Sequence, residues 1–194
     1  MYSGQSWNVW TSGDEVLNFC IYVGCAYGVF ESHDRNRYSC WPNQSLLRAE
    51  DDLMTIKQNW HQWWTKVVAM KADRVVRKQY PASPALVAPY FTAECPILRA
   101  CCERAWEPFQ QWWYMPAGGQ SAIYYWESAP HIPSYISEFE REMGRKSKPF
   151  QLQIDLVYTG LNNPIEPAPN YIIFPVGPLL IDKEWWMERL RRMG

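Results

Sequence analysis

The chain has 194 residues and a formal net charge of −1, with 19 basic and 20 acidic residues. Hydrophobic residues make up 47% of the sequence, which excludes a disordered chain, and the length suits a single domain, residues 1–194, with a core of its own. The balanced charge argues against nucleic-acid binding and against an electrostatic membrane anchor, because both depend on an excess of basic residues.

The first predicted elements are a short strand within residues 1–11 and a buried helix over Gly13–Phe30. Ser12 and Glu15 have the spacing of a capping box, in which each side chain satisfies a backbone amide of the first helical turn. Glycines such as Gly24 weaken this helix, but they allow a neighbouring element to approach closely.

Ser45–Tyr80 contains no Pro and no Gly and predicts the longest helix of the chain. Its apolar side chains recur at alternating spacings of three and four residues, which is the period of one helical face. The members of this face are Leu46, Ala49, Leu53, Ile56, Trp60, Trp63, Val67 and Met70. A homodimer built on this face is one hypothesis, but two Trp residues in the seam disfavour a parallel coiled coil.

The next part of the chain alternates between breakers and regular patterns. Pro81–Pro96 is rich in Pro and predicts a connector, and Ile97–Tyr114 predicts a helix with a kink at Pro108. Gln120–Trp126 is rich in β-forming residues and predicts a strand, and His131–Gly144 predicts another helix.

The C-terminal third predicts a small sheet and a final helix. Gln151–Tyr158 alternates between apolar and polar residues, and Tyr171–Val176 is a second candidate strand that we expect to pair with it in antiparallel fashion. Asp182 would cap a helix over Lys183–Met193. The prediction is an α+β fold that is mostly helical, with a long central amphipathic helix and a small C-terminal antiparallel sheet.

No motif in the sequence fixes a reaction. Paired zinc-ligand motifs, the G-x-S-x-G elbow and phosphate-binding Gly loops do not occur. The set best suited to catalysis is His33, Asp34 and Cys40 in the charged loop Glu31–Gln44, which would suit a small hydrolase-like enzyme. A metal site would need irregularly spaced ligands, namely Cys20, Cys25, His33 and Cys40. We therefore expect no metal and no cofactor.

The six Cys residues are expected to be free thiols of a reducing compartment, because the chain is not a small disulfide-rich scaffold. No basic leader precedes an apolar stretch, and Val16–Phe30 is shorter than the roughly 20 residues that a membrane-spanning helix needs. These features predict a cytoplasmic protein that does not associate with membranes.

Aromatic residues are unusually frequent, with 12 Trp, 12 Tyr and 7 Phe. Several are adjacent in sequence, and neighbours on a helix or strand point in different directions, so both members of a pair cannot face one core. We expect one member of several pairs to line a cleft or an exposed patch. The candidate binding residues from these pairs are Trp64, Trp113, Trp126 and Trp186.

These observations favour a non-enzymatic protein-binding domain, and the hydrolase-like enzyme is the alternative. A bacterial immunity protein that neutralises a cognate toxin is one class that needs surface and no chemistry. Acidic residues would lie at the rim of the interface if the toxin were a basic nuclease. The candidates are Glu50, Asp51, Glu138 and Glu142, although acidic residues near the start of a helix also stabilise that helix end.

Overall fold

The computed structural model describes residues 7–30, 45–78, 95–158 and 160–193. Within these ranges the protein contains six α-helices and four β-strands, which confirms the α+β class. The predicted loop Glu31–Gln44, with its candidate catalytic residues His33, Asp34 and Cys40, lies outside the described residues. So do residues 79–80 of the predicted helix Ser45–Tyr80 and residues 81–94 of the predicted connector.

The elements follow one another in a simple order. In chain order they are β1 (Trp7–Gly13), α1 (Glu15–Ala26), α2 (Leu53–Val76), α3 (Pro96–Tyr114), α4 (Gly119–Glu127), α5 (Ile132–Met143), β2 (Phe150–Val157), β3 (Ile165–Ala168), β4 (Tyr171–Pro175) and α6 (Lys183–Met193). A short 3₁₀ helix, Pro178–Ile181, precedes α6.

The four strands form one mixed sheet in the order β1-β2-β4-β3. Strands β1 and β4 both run parallel to β2, and only β3 runs antiparallel to its neighbour β4. The predicted antiparallel pairing of the two C-terminal strands is therefore wrong. The cause is β3, which lies in the stretch between them, reverses the chain and returns β4 in the direction of β2.

The predicted strand Gln120–Trp126 is also wrong, because these residues belong to helix α4. The amide of Ala122 donates to the carbonyl of Gly118 at 3.0 Å, a helical hydrogen bond. Ile123 points inward, and its Cγ2 lies 2.5 Å from where a Cβ on Gly13 of β1 would be. Packing against β1 thus outweighs the β preference of this aromatic segment.

Two aspartates set the beginnings of the first long helices. Asp52 accepts hydrogen bonds from the amides of Met54 and Thr55, so α2 begins at Leu53 rather than at Ser45. Asp14, not Ser12, caps α1 through a 2.8 Å bond from the Leu17 amide. The predicted inner face of α2 is confirmed where α2 packs into the core, at Ile56, Trp60, Trp63 and Val67.

Helices cover both faces of the sheet. Phe174 of β4 stacks on Trp186 of α6 at 5.8 Å between ring centroids, so α6 lies on the Phe174 face. Asp155 of β2 is opposite Ile173 and therefore points to the other face. On that face Lys71 of α2 forms an ion pair with Asp14, which follows β1. This arrangement buries the second half of β2, residues 154–157, on both of its sides.

Candidate functional site

Most of the indole rings in the described ranges belong to the core. The buried ones are Trp60, Trp63, Trp113 and Trp186, and those half-buried against the core are Trp7, Trp64, Trp106, Trp112, Trp126 and Trp185. Stacking lets the interior hold so many rings: the Trp60 and Trp64 rings are stacked with nearly parallel planes and centroids 5.8 Å apart, and Phe109 stacks on Trp113 with centroids 5.5 Å apart. Trp10, at 38% exposure, is the most accessible of the described indoles.

The four tryptophans predicted to bind a partner occupy two environments. Trp113 and Trp186 are only 2% and 1% exposed, and the indole nitrogen of Trp186 donates to the carbonyl of Leu180. Trp64 and Trp126 are half-buried against the core. A role in binding stays a prediction for all four tryptophans. The burial of Trp113 and Trp186 in the core keeps these two rings away from the surface.

The four predicted acidic rim residues all lie beside a basic side chain of the same chain. Asp51 accepts a 2.7 Å bond from Arg104, which lowers the pKa of Asp51, and this pair joins the start of α2 to α3. Two further pairs join α5 to α6, and Glu50 makes a longer contact with Arg48, two residues before it. They are Glu138–Lys183 at 2.7 Å, Glu142–Arg191 at 3.4 Å and Glu50–Arg48 at 3.9 Å.

Four large side chains are exposed between the last residue of α3 and the second half of α4. They are Tyr114 (50% exposed), Met115 (47%), Tyr124 (61%) and Tyr125 (75%), and we call them the tyrosine surface. Adjacent aromatic residues in the sequence indicate this part of the chain. The sequence nevertheless predicts a strand over Gln120–Trp126, with Trp126 and not the tyrosines as the binding residue. The helical phase of α4 puts Ile123 inward and turns both tyrosines outward.

The connection between α3 and α4, residues 115–118, forms a corner beside the tyrosine surface and has little room to rearrange. A Cβ on Gly119 would lie 2.5 Å from the Trp112 ring, and one on Gly118 would overlap the backbone of Trp112. The Tyr114 hydroxyl donates to Glu15 at 3.0 Å and so ties the corner to α1. Partial burial and this bond raise the pKa of Tyr114 to about 12, so the phenol stays protonated as a donor.

A second candidate is a buried carboxylate at the centre of the sheet. Asp155 is 6% exposed and accepts hydrogen bonds from Tyr171 and Gln153, both at 2.8 Å, and a longer one from Ser12 at 3.3 Å. Burial is the main cause that raises its pKa to about 6, and the nearby Asp14 adds to the effect, whereas Lys71 and the donors oppose it.

This buried cluster is better suited to structure than to chemistry. Its donors come from three adjacent strands, so the cluster fixes the register of β1, β2 and β4. Asp155, Tyr171, Gln153 and Ser12 line none of three cavities found among the described residues. In the alternation of Gln151–Tyr158, Asp155 is one of the polar residues, and that pattern alone could not show that helices cover the polar side as well.

Three of the cavities formed by described residues are open to solvent. A groove of about 540 Å³ between α5 and α6 is lined mainly by charged residues, such as Glu142, Glu184 and Arg191. A cleft of about 690 Å³ lies at the beginning of the sheet beside the stacked pair Trp7 and Phe150. A third, of about 410 Å³, lies on the outer side of α2.

Within the described part of the chain, no group of three or more His, Cys, Asp or Glu residues is arranged to hold a metal ion. The helices of that part also lack the combination of length and apolar composition that crossing a membrane requires. Comparisons with protein-family models, curated proteins and solved structures gave no match for this chain.

Proposed function

We propose that this chain binds a protein partner through the tyrosine surface. The observation that carries the proposal is the exposure of Tyr114 at the end of α3, of Met115 directly after it, and of Tyr124 and Tyr125 in α4. Tyr is among the residues that contribute most to binding energy at protein interfaces, because it combines a large apolar ring with a hydrogen-bonding hydroxyl. Met adapts its shape to a partner surface.

The packing of the corner favours this role. Gly118 and Gly119 hold α3 and α4 in close contact, so the tyrosines are presented by a rigid support rather than by a long loop. A surface that is already ordered loses less conformational entropy when a partner binds. The aromatic residues therefore have two different roles: Trp112 and Trp113 pack against Gly119 and support the corner, whereas the tyrosines are exposed.

A toxin is the class of partner that we propose, with the chain acting as its immunity protein. An immunity protein that blocks its toxin by binding to it needs an interaction surface and no catalytic reaction. A candidate site made of exposed aromatic side chains agrees with this requirement. The acidic residues Glu138 and Glu142 already pair with Lys183 and Arg191. We therefore assign the main part of the affinity to the tyrosine surface and not to charge.

The test is a binding measurement with the protein encoded by a gene adjacent to the one for this chain. Calorimetry would compare the wild type with the double variant Tyr124→Ala/Tyr125→Ala. We expect at least a tenfold weaker binding, because two interface tyrosines together contribute more than about 1.4 kcal/mol. Met54→Ala is the matched control, since Met54 is 75% exposed on a different helix and its removal should leave the affinity unchanged.

Two results would overturn the proposal. One is a partner that binds the double variant as tightly as the wild type while the variant keeps its circular dichroism spectrum. The other is that the adjacent gene product shows no binding to the wild type, which would remove the toxin assignment.

A further inference from the structure

Strand β1 forms one edge of the sheet, and among the described residues it pairs only with β2. The edge strand β1 is less buried than the central strand β4: none of the seven residues of β1 is buried, whereas all five residues of β4 are. Asn8 and Trp10 are the exposed members of β1. An edge strand of this length presents a row of backbone groups that can pair with another strand.

The ladder shows which amides of β1 point outward. The amide of Gln153 donates to the carbonyl of Asn170, on the β4 side of β2. Because backbone groups alternate along a strand, Leu152 and Ile154 direct theirs toward β1. In a parallel pair these bond to the neighbours of their register partners. The register pairs Leu152 with Val9, so the backbone of Asn8 and Trp10 is the part engaged with β2.

The amides and carbonyls of Trp7, Val9 and Thr11 therefore point away from the sheet. An independent contact agrees with this assignment: the amide of Gly13, which has the same parity, donates to the Glu127 carboxylate of α4 at 3.0 Å instead of to β2. Helix α4 thus occupies the end of the edge at Gly13, and among the described residues the stretch from Trp7 to Thr11 pairs only with β2.

The opposite edge of the sheet is protected in ways that β1 is not. Strand β3 has four residues, includes Pro167 and contains an irregularity in its register with β4. Its Glu166 is also held by Arg189 at 2.9 Å and by Arg192 at 3.2 Å, both from α6. Short length, Pro and a bulge are the usual means of preventing pairing at an edge, and β1 contains no Pro and no charged residue.

We propose that β1 pairs with β1 of a second copy of this chain, antiparallel and about a two-fold axis at Val9. Val9 then faces Val9 of the partner subunit, Trp7 faces Thr11 of the partner subunit, and every outward amide and carbonyl of these three residues is paired. Asn8 and Trp10, the exposed members of the strand, face each other across the axis.

The strand is suited to pairing with itself. It has no charged side chain, so two copies bring no like charges together. The register matches exposed residues with exposed residues and half-buried residues with half-buried ones. A two-fold interface uses the same surface on both copies, and the result is one continuous sheet across the dimer. This inference rests on the strand edge alone and is independent of the tyrosine surface.

The test combines the mass in solution with a disulfide that reports the register. Light scattering of the wild type should give twice the mass of one chain, falling to one mass on dilution. For the second measurement, Asn8→Cys and Trp10→Cys chains are prepared separately, mixed, and exposed to oxidised glutathione. Residues opposite each other in a non-hydrogen-bonded pair have Cα atoms about 4.5 Å apart, a distance that a disulfide can span.

Each single variant by itself is the matched control. Like positions of the two copies are diagonal neighbours in this register, with Cα atoms about 7–8 Å apart, beyond the range of a disulfide. We expect a covalent dimer joining the peptides that contain positions 8 and 10 in the mixture, and little in either variant alone. A wild-type mass of one chain at all concentrations, a mixture of folded variants that does not cross-link, or a single variant that cross-links as well as the mixture would each overturn the proposal.

Discussion

Asp155 shows how a single buried charge is tolerated in the sheet. Three donors, one each from β1, β2 and β4, satisfy its oxygens, and the ion pair of Lys71 with Asp14 lies close by. Burial nevertheless disfavours the charged form and raises the pKa of Asp155 to about 6. The native state therefore binds a proton at Asp155 more tightly than the unfolded chain does.

This difference predicts a specific pH dependence of stability. Because the native pKa lies above the unfolded value of about 3.8, the contribution of Asp155 to the free energy of unfolding falls as pH rises from about 4 to about 6 and is constant above that. Asp155→Asn removes the titration and keeps one acceptor oxygen, for Gln153 and Ser12, while its amide group donates to the Tyr171 hydroxyl instead of accepting from it. At pH 7 we expect the variant to be more stable than the wild type by roughly 1–3 kcal/mol, measured by urea unfolding.

The control for this experiment is Asp73→Asn, because Asp73 is an exposed partner of Arg77 on α2. This variant should follow the wild-type pH profile closely. If Asp155→Asn also kept the wild-type slope between pH 4 and pH 6, the assignment of the raised pKa to Asp155 would be wrong.

At the scale of elements, the contact of α1 with α2 depends on the absence of a side chain at Gly24. A Cβ there would lie 2.6 Å from the Phe30 ring and 2.9 Å from the Trp60 ring. The Trp60 indole also donates to the carbonyl of Cys20 at 2.8 Å, which fixes the position of the ring. A close approach at this glycine agrees with the prediction that glycines in this helix admit a neighbouring element.

We predict that Gly24→Ala destabilises the protein by about 1–3 kcal/mol, because the Trp60 and Phe30 rings must move to admit a methyl group. The measurement is the free energy of unfolding in guanidinium. Ala69→Gly, on the exposed side of α2, measures the intrinsic preference of a helix for Ala, about 1 kcal/mol. If Gly24→Ala stabilised the protein by that amount, no steric restriction would exist at Gly24.

The elements also show what the sequence could and could not predict. The inner face of α2 was predictable because Ile56, Trp60, Trp63 and Val67 repeat with a helical period and local periodicity decides which side is buried. Helix α4 was not, because β-forming residues around Ile123 were outweighed by packing against β1. Strand direction depends on the path of the whole chain, and the sequence contains no local signal for it.

The candidate site was predicted in kind but not in place. Adjacent aromatic residues correctly indicated that some rings could not face the core, yet Trp113 and Trp186 are buried while Tyr124 and Tyr125 are exposed. Exposure depends on the rotation of each helix about its axis, which packing partners distant in sequence determine. The larger rings lie mostly inside, in accordance with the greater apolar area that they bury.

At the scale of the whole molecule, the described cysteines report on the integrity of one core. Cys20, Cys101 and Cys102 are at most 1% exposed, and burial raises the pKa of each thiol, whereas Cys95 is only half-buried. We predict that iodoacetamide labels Cys95 in the native protein and labels the three buried thiols only when the protein unfolds globally, because the thiolate is the reactive form.

Peptide mass spectrometry after a timed pulse of the reagent would measure each site separately. Labelling in denaturant is the control and should reach all of these cysteines. Modification of Cys101 or Cys102 at the rate of Cys95 would show that the core opens locally, in contradiction to this prediction.

The parallel pairing of Trp7 with Phe150 and of Gly13 with Leu156 has a consequence for biosynthesis. A ribosome releases the chain from its amino end, so β1 leaves the exit tunnel long before the strand that flanks it has been translated. The helices encoded in between can form earlier, but the sheet assembles only after Val157 has emerged. Closing so long a loop costs entropy and slows folding. During that interval Trp7 and Trp10 are without their native neighbours, when protection from aggregation matters most.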